Sequence, residues 1–298
     1  MTPNEVPALV VLEQPLQARF GRTLTTLQAP GLGAVLGALV GDAAGGVLEF
    51  IGRKPPEDEA RRALMGMPGG GVFGLAPGQF TDDGELTAAL LSALSDAAGE
   101  WNADRVAHAY GSWASSQPFD MGNATAAALG RRSPGSMRGL ANIVMDRAAQ
   151  ANLGSKANGA LMRISPLAVA GVCWSDDVLA EVARRDARLT HPNHTCQHAN
   201  ASYVLAIRHL MLQPGDAEGA FHVADRYLAL HPDAAEVHGW LGDAASGQLV
   251  AVHPQAGFVR HGFTRASHHL ARRTPFSTAL TTVLAEGGDT DTNACIVG

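Results

Sequence analysis

Cysteines, lysines and aromatic residues are all scarce in this sequence. Its three cysteines, Cys173, Cys196 and Cys295, are odd in number, lie far apart and lack metal-type spacing. This usage excludes a disulfide framework and predicts buried thiols in a reducing compartment. Only two of the 22 basic residues are lysines, the arginines are scattered, and the net charge is -6. We therefore expect no nucleic-acid partner.

Long apolar runs are absent as well. The stretch 32–50 is rich in glycine and alanine, but Asp42 and Glu49 interrupt it before about 20 apolar residues accumulate, which argues against a membrane span. The amino terminus has no basic segment, and its apolar run 8–12 is too short for a signal-peptide core. We expect 32–50 to form a central buried helix in a cytoplasmic protein without membrane contact.

Strand-like alternation is almost missing, while alanine and leucine are abundant and aromatics make up only 5%. This pattern predicts a single compact all-α domain over residues 31–298, after an N-terminal extension of residues 1–30 that ends at Pro30 and Gly31. Residues 52–79, rich in glycine and proline, are predicted to form a long loop. Helices are predicted at about 83–97, 103–116, 136–151, 176–189, 195–213, 216–230 and 276–286.

Two short acidic segments, 81–83 (Thr-Asp-Asp) and 289–292 (Asp-Thr-Asp-Thr), each begin a predicted helix. One interpretation is helix capping, with Asp82 as N-cap and Glu85 completing a capping box. The other is a shared site for magnesium or manganese, which prefer hard oxygen donors. Two such segments favour the metal site, because a cation would relieve the repulsion between neighbouring carboxylates. Two divalent ions about 3.5–4 Å apart fit such a donor set.

A group of histidines near Cys196 has the composition of a zinc site. His194 and His198 share the four-residue spacing of one helix face, and His191 lies just before them. The sequence shows no matching glutamate or second ligand pair. We therefore expect a helix that begins at Pro192–Asn193, with histidines facing solvent or a phosphate.

The sequence has no nucleophile elbow, Walker loop or dinucleotide fingerprint. Instead, five segments resemble the ADP-ribosylglycohydrolases, the group that includes the dinitrogenase reductase-activating glycohydrolase. The resemblance extends from about Gly31 to Gly298. It implies an all-α fold around two Mg²⁺ or Mn²⁺ ions and removal of ADP-ribose from a modified side chain. The matching segments are 37–42 with 49–50, 77–83, 119–125, 158–163 and 287–294.

The resemblance also implies a role for particular side chains. The residues that match its metal ligands are Thr81, Asp82, Asp83, Asp289, Asp291 and Thr292. Those that match its catalytic carboxylates are Glu49 and Asp120, and those that match its ADP-ribose cleft are Gly122, Asn123, Asn158, Gly159 and His191. Without the resemblance, Glu49 would be a surface charge at a helix end, and Asp120 a turn residue capping the helix after Gly122.

The implied substrate is an ADP-ribosylated protein, modified on arginine because 120–125 is similar to the arginine-directed members, and the product is ADP-ribose. Two alternatives stay open: hydrolysis of a serine, nucleic-acid or small-metabolite linkage, and a catalytically silent relative like those recruited as lens crystallins. Three features depart from the family pattern. Ala157 replaces a glycine and would be strained at positive φ, Gly84 should weaken a helix start, and the chain ends at Gly298 with a terminal helix of barely two turns.

Overall fold

The structure is a computed structural model that describes residues 28–97, 99–130, 133 and 135–298. Its described part contains fourteen α-helices and no strand, which confirms the all-α prediction. The first seven are α1 (Gln28–Gly45), α2 (Glu57–Gly66), α3 (Asp82–Asp96), α4 (Ala103–Ser115), α5 (Asn123–Leu129), α6 (Leu140–Asn152) and α7 (Ser165–Ala170). The others are α8 (Asp176–Arg188), α9 (His194–Leu212), α10 (Ala217–Ala229), α11 (Ala235–Ser246), α12 (Val259–Arg272), α13 (Phe276–Glu286) and α14 (Thr290–Val297).

Two apolar cores hold these helices together. The larger core collects side chains from α3 through α12, among them Leu86 and Phe263. The smaller core lies between α1, α2, α13 and α14 and includes Leu64. Helix α14 contributes Ile296 to the larger core and Ala294 to the smaller one. Helix α14 therefore lies where the two cores meet.

The predicted loop over 52–79 was wrong in its first half, because α2 lies within it. Helix α2 follows Pro56 and opens on three acidic residues, an arrangement that favours a helix start. Arg61 and Arg62 pair with Glu57 and Asp58 one turn earlier, and the opposite face packs in the smaller core. Helices α7, α11 and α12 were also missed, whereas the seven predicted ranges each match a helix.

The N-terminal extension of residues 1–30 lies outside the described residues up to position 27. Helix α1 already includes Pro30, in its first described turn, where a proline is tolerated. The division of the chain at residue 30 stays a prediction. No helix among the described residues is long and apolar enough to cross a bilayer.

The cysteines agree only in part with the expected burial. Cys196 and Cys295 are buried free thiols, whereas Cys173 is exposed and contradicts the prediction. Cys173 closes the short 3₁₀ turn Gly171–Cys173 after α7, where the chain reaches the surface.

Two glycines one turn apart on α1 allow this helix to lie directly against the backbone of α14. A Cβ atom at Gly41 would be 2.1 Å from the carbonyl oxygen of Ala294, and one at Gly45 would be 2.4 Å from the Cα of Asp291. Helix α14 has eight residues and would be marginal in isolation, but nearly all of them are buried. The tight contact with α1 thus orders the short terminal helix and its acidic first turn.

Candidate active site

Helices α3 and α14 bring the two acidic segments together. The hydroxyl of Thr81 lies 3.1 Å from Oδ2 of Asp291, and the hydroxyl of Thr292 donates to Oδ2 of Asp83 at 3.2 Å. The residues in the second contact are 209 positions apart in sequence. Thr81, Asp83, Asp291 and Thr292 are all buried. Convergence of these two segments, which the sequence predicted, is therefore present in the fold.

The capping interpretation of the first segment was wrong. Helix α3 begins at Asp82 with Thr81 as N-cap, and the Thr81 side chain makes no capping hydrogen bond. Glu85 instead accepts a hydrogen bond from the indole of Trp113 at 2.6 Å. Asp289, the N-cap of α14, also makes no capping bond. It accepts a hydrogen bond from the side-chain amide of Asn158 at 2.7 Å. The acidic side chains thus face one another rather than their own helix ends.

Asp42 from α1 organises the start of α3, a role that sequence reasoning missed. Its carboxylate accepts from the Thr81 amide, from the Thr81 hydroxyl at 2.8 Å and from the Gly84 amide at 2.6 Å. A Cβ at Gly84 would be 2.8 Å from Asp42 Oδ2 and 2.6 Å from the Phe80 ring. The glycine expected to weaken this helix start is therefore what lets Asp42 and Phe80 approach it.

The site holds more buried carboxylate oxygens than its hydrogen bonds satisfy. Oε2 of Glu49, Oδ1 of Asp83 and Oδ1 of Asp291 are buried and accept no hydrogen bond. One oxygen each from Asp42, Asp83 and Asp291 lie within 4.8 Å of one another, as do one each from Glu49, Asp120 and Asp291. Among the residues that the structure describes, no lysine or arginine forms an ion pair with any of these five. Unsatisfied hard oxygens without a protein cation form a donor set that fits a divalent ion.

Burial and crowding disfavour the charged forms of these carboxyl groups. Burial is the largest cause and raises the pKa of Asp82 and of Glu49 to about 8 and that of Asp42 to about 6. The pKa values of Asp83 and Asp291 rise well above the usual range, through burial first and neighbouring carboxylates second. A bound cation would reverse this effect, because it stabilises the ionised oxygens.

The two predicted catalytic carboxylates border the acidic cluster. Glu49 is 3% exposed, so its interpretation as a surface charge at a helix end was wrong. Asp120 is half-buried, and burial followed by the charge of Asp289 raises its pKa. It does not cap α5, whose N-cap is Gly122. Both carboxyl groups can therefore retain a proton beside the cluster.

The predicted cleft residues fall into two groups. Asn158 and His191 are buried, and the imidazole of His191 lies against Gly159 with Nδ1 2.8 Å from the Thr190 hydroxyl. Burial, assisted by the charge of Arg163, lowers the pKa of His191 to about 3, so that its ring is neutral. Gly122 and Asn123 are exposed at the start of α5. The backbone of Gly122 lies close enough to Asp82 to lower its pKa, against the larger effect of burial.

The sequence was compared with protein-family profiles and with known proteins. The sequence profile described as ADP-ribosylglycohydrolase matches residues 24–298. The chain belongs to this family of hydrolases. A predicted ADP-ribosyl glycohydrolase of Acanthamoeba polyphaga mimivirus is 30% identical over 290 residues, which cover 89% of this chain and 83% of that protein. The ADP-ribosyl-[dinitrogen reductase] glycohydrolase of Rhodospirillum rubrum is 28% identical over 269 residues, covering 90% and 82%.

Two further similarities support membership. An ADP-ribosylarginine hydrolase of Pseudomonas putida (strain GB-1) is 29% identical over 225 residues, covering 70% of this chain and 54% of that protein. A solved structure of an ADP-ribosylglycohydrolase-related protein complex superimposes with a TM-score of 0.71 at 26% identity and covers 92% of this chain and 86% of that one. The helical fold is therefore that of the ADP-ribosylglycohydrolases.

The departure from the ADP-ribosylglycohydrolase pattern at Ala157 causes no backbone strain. Ala157 is not among the residues with positive φ, and it forms an isolated bridge with Phe258. The backbone N–H of Asn158 donates a hydrogen bond to the carbonyl of Gly257 at 3.1 Å, which fixes the following turn. The strain expected at Ala157 is therefore absent.

A buried ion pair that the sequence did not reveal supports this turn. Arg163 is fully buried, donates to the carbonyl of Gly159 at 3.0 Å and pairs with Asp186 at 3.3 Å. Its guanidinium also lies over the ring of Tyr110, whose hydroxyl donates to Asp186 at 3.0 Å. Arg163 is the last residue of the matching segment 158–163. Its position in that segment was the signal in the sequence that could have indicated its structural role.

Proposed function

We propose that this ADP-ribosylglycohydrolase is a metal-dependent enzyme that removes ADP-ribose from a modified arginine of a protein. The observation that carries the proposal is the set of three buried carboxylate oxygens, on Glu49, Asp83 and Asp291, that accept no hydrogen bond. The names of two relatives, which refer to ADP-ribosyl-[dinitrogen reductase] and to ADP-ribosylarginine, support a protein substrate modified on arginine.

The proposed cofactor is a pair of Mg²⁺ or Mn²⁺ ions. Carboxylate and hydroxyl oxygens without nitrogen or sulfur donors favour these hard ions over zinc or copper. When bound, the ions would supply Lewis-acid contact to the ribose hydroxyls and orient a water molecule. The proposed ligands are Thr81, Asp82, Asp83, Asp289, Asp291 and Thr292.

The remaining residues have proposed roles in proton transfer and binding. Cleavage of the ribosyl C1–N bond leaves the electron pair on the guanidine nitrogen, which must then be protonated. Asp120 can donate this proton because its raised pKa keeps the carboxyl group protonated to higher pH. Glu49, buried beside Asp291, would contact the reacting ribose. The proposed cleft residues are Gly122, Asn123, Asn158, Gly159 and His191.

The first test measures ADP-ribose released from an arginine-ADP-ribosylated protein, with Mg²⁺ and then with excess chelator. We expect release with Mg²⁺ and its loss with chelator, because the buried carboxylates cannot all ionise without the cation. Serine-linked protein, ADP-ribosylated nucleic acid and small metabolites form a parallel panel. Release from one of these alone would overturn the arginine assignment. Metal-induced stabilisation without any release would indicate a catalytically silent relative.

Replacing Asp120 should separate proton donation from metal binding. We expect Asp120→Asn to lower kcat on the arginine-linked substrate by about 10²–10⁴-fold, since a poor leaving group loses its acid. The loss on a serine-linked substrate should be smaller, and the metal-induced increase in Tm should be unchanged. Steady-state kinetics on both substrates, with Asp96→Asn at the exposed far end of α3 as control, provide the measurement. Equal losses on both linkages would remove Asp120 as the linkage determinant.

A further inference from the structure

A second cluster of metal-binding side chains lies apart from the acidic site. It consists of His194 and His198 in the first turns of α9 and Asp233 in the 3₁₀ turn Pro232–Ala234, which connects α10 to α11. One ligand atom from each of the three lies within 4.8 Å of the other two. Asp233 is the third ligand that the sequence did not reveal, because it lies 35 positions beyond His198 and adjoins it only through the packing of α9 against this turn.

The distances between these atoms match the edges of a metal coordination polyhedron. Nε2 of His198 lies 3.0 Å from Oδ2 of Asp233, and Nδ1 of His194 lies 3.4 Å from the same oxygen. Ligands about 2.0–2.2 Å from one zinc ion lie about 3.0–3.5 Å apart at angles between a right angle and the tetrahedral value. We propose that His194, His198 and Asp233 bind a divalent transition-metal ion, with zinc as the ion that best fits two imidazoles and one carboxylate.

The environment of His198 supplies independent support. His198 is fully buried, yet its Nε2 has no hydrogen bond of acceptable geometry despite its closeness to Asp233. Its other nitrogen, Nδ1, lies 2.9 Å from the hydroxyl of Tyr227. If Nδ1 donates to that hydroxyl, the lone pair of Nε2 is free for a metal, an arrangement that is typical of histidine ligands.

The other two residues of the histidine–cysteine group, Cys196 and His191, do not take part in this site. Cys196 points its sulfur towards the carbonyl oxygens of Ser155 and Ala157, and His191 belongs to the cleft. His194 and Asp233 are 65% and 48% exposed, so an ion can enter from solvent and a water can complete its coordination. A bound ion would join the start of α9 to the connection between α10 and α11. The proposed role of the ion is therefore to stabilise the position of α9, the helix that follows the Thr190–His191 turn.

The test is a zinc titration of the full chain in excess Mg²⁺, in a Cys173→Ser background that removes the exposed thiol. Bound zinc is counted after gel filtration, and Tm is measured at each zinc concentration. His194→Ala and Asp233→Asn remove one ligand each at exposed positions. His238→Ala is the matched control, because His238 pairs with Asp225 at 2.9 Å without a third ligand among the described residues. Zinc in the acidic centre would be common to all variants and cancels in the comparison.

We expect the parent and His238→Ala to bind one zinc ion more than His194→Ala and Asp233→Asn. Zinc at a hundredfold excess over its Kd should raise the Tm of the parent by roughly 5 °C, and this increase should be lost in both ligand variants. In ¹⁵N spectra of the histidine rings, the Nε2 resonance of His198 should shift on zinc binding. Equal zinc content and equal Tm responses in all four proteins would overturn the proposal and leave a simple histidine–aspartate pair.

Discussion

Asp291→Asn should lower turnover by about 10³-fold while leaving the metal-free protein at least as stable as the parent. The rate loss follows because a metal contact contributes several kcal/mol to transition-state stabilisation, and about 1.4 kcal/mol corresponds to a factor of ten. Asparagine keeps the shape of the side chain but offers a weaker, neutral donor. Asp83→Asn, on the opposite segment, should have the same effect.

The unchanged or increased stability has a separate physical reason. Burial, together with Glu49 and Asp83, raises the pKa of Asp291 in the folded state. A carboxyl group whose pKa is raised by folding destabilises the fold once the pH exceeds its unfolded-state value. At neutral pH without metal, removing that group therefore removes a destabilising interaction. A residue needed only for packing would instead lower stability and activity together.

The measurement combines thermal unfolding in chelator and in Mg²⁺ with initial rates of ADP-ribose release. The parent should gain stability from Mg²⁺, and Asp291→Asn should lose most of that gain. Asp96→Asn, at the exposed end of α3, is the control and should behave as the parent in both assays. Parent-like rates in either cluster variant would exclude the dinuclear assignment.

Gly41→Ala should unfold at a temperature on the order of 10 °C below that of the parent, a cost of about 3 kcal/mol or more. The added methyl group would lie 2.1 Å from the carbonyl oxygen of Ala294 and 2.9 Å from the amide nitrogen of Cys295. Both are backbone atoms, so the overlap is relieved only by moving α14 away from α1. Because α14 carries Asp291 and Thr292, the same shift should also reduce metal-dependent activity.

A glycine in another helix provides the matched control. Gly239 in α11 has no atom within 4 Å of an added Cβ. Gly239→Ala should therefore raise stability slightly, by about 0.5–1 kcal/mol, because alanine favours helix over glycine. Urea or thermal unfolding of both variants checks the opposite signs. Parent-like unfolding of Gly41→Ala would show that the contact between α1 and α14 is more tolerant than its geometry implies.

The sequence predicted those helices whose apolar spacing is regular and whose ends are marked. Helix α3, with leucines at a spacing of four behind an acidic start, is one example. Helix α2 was missed because its surroundings are rich in glycine and proline, although its acidic first turn and its arginines four residues later were visible signals. A long segment rich in glycine and proline can therefore still contain a short helix when one face of that helix packs against a hydrophobic core.

The candidate site was predicted in part for a similar reason. Side chains that adjoin in sequence, such as Thr81 to Asp83, could be grouped directly. Asp42 could not, because its function depends on α1 presenting it to the backbone of another helix. Asp233 and Asp186 were missed for the same reason, since each meets its histidine or arginine partner through tertiary packing alone.

By itself, the sequence determined the all-α class and the presence of two acidic helix starts, because composition and local spacing decide secondary structure and place donors near one another. It also carried the resemblance to the ADP-ribosylglycohydrolases. Only the tertiary structure decided which atoms of the two segments meet, that three carboxylate oxygens are left unsatisfied, and that a two-turn helix is held by glycine contacts with α1. Those features depend on distances between residues far apart in the chain. The local sequence around a single Asp or His does not reveal whether its side chain is buried.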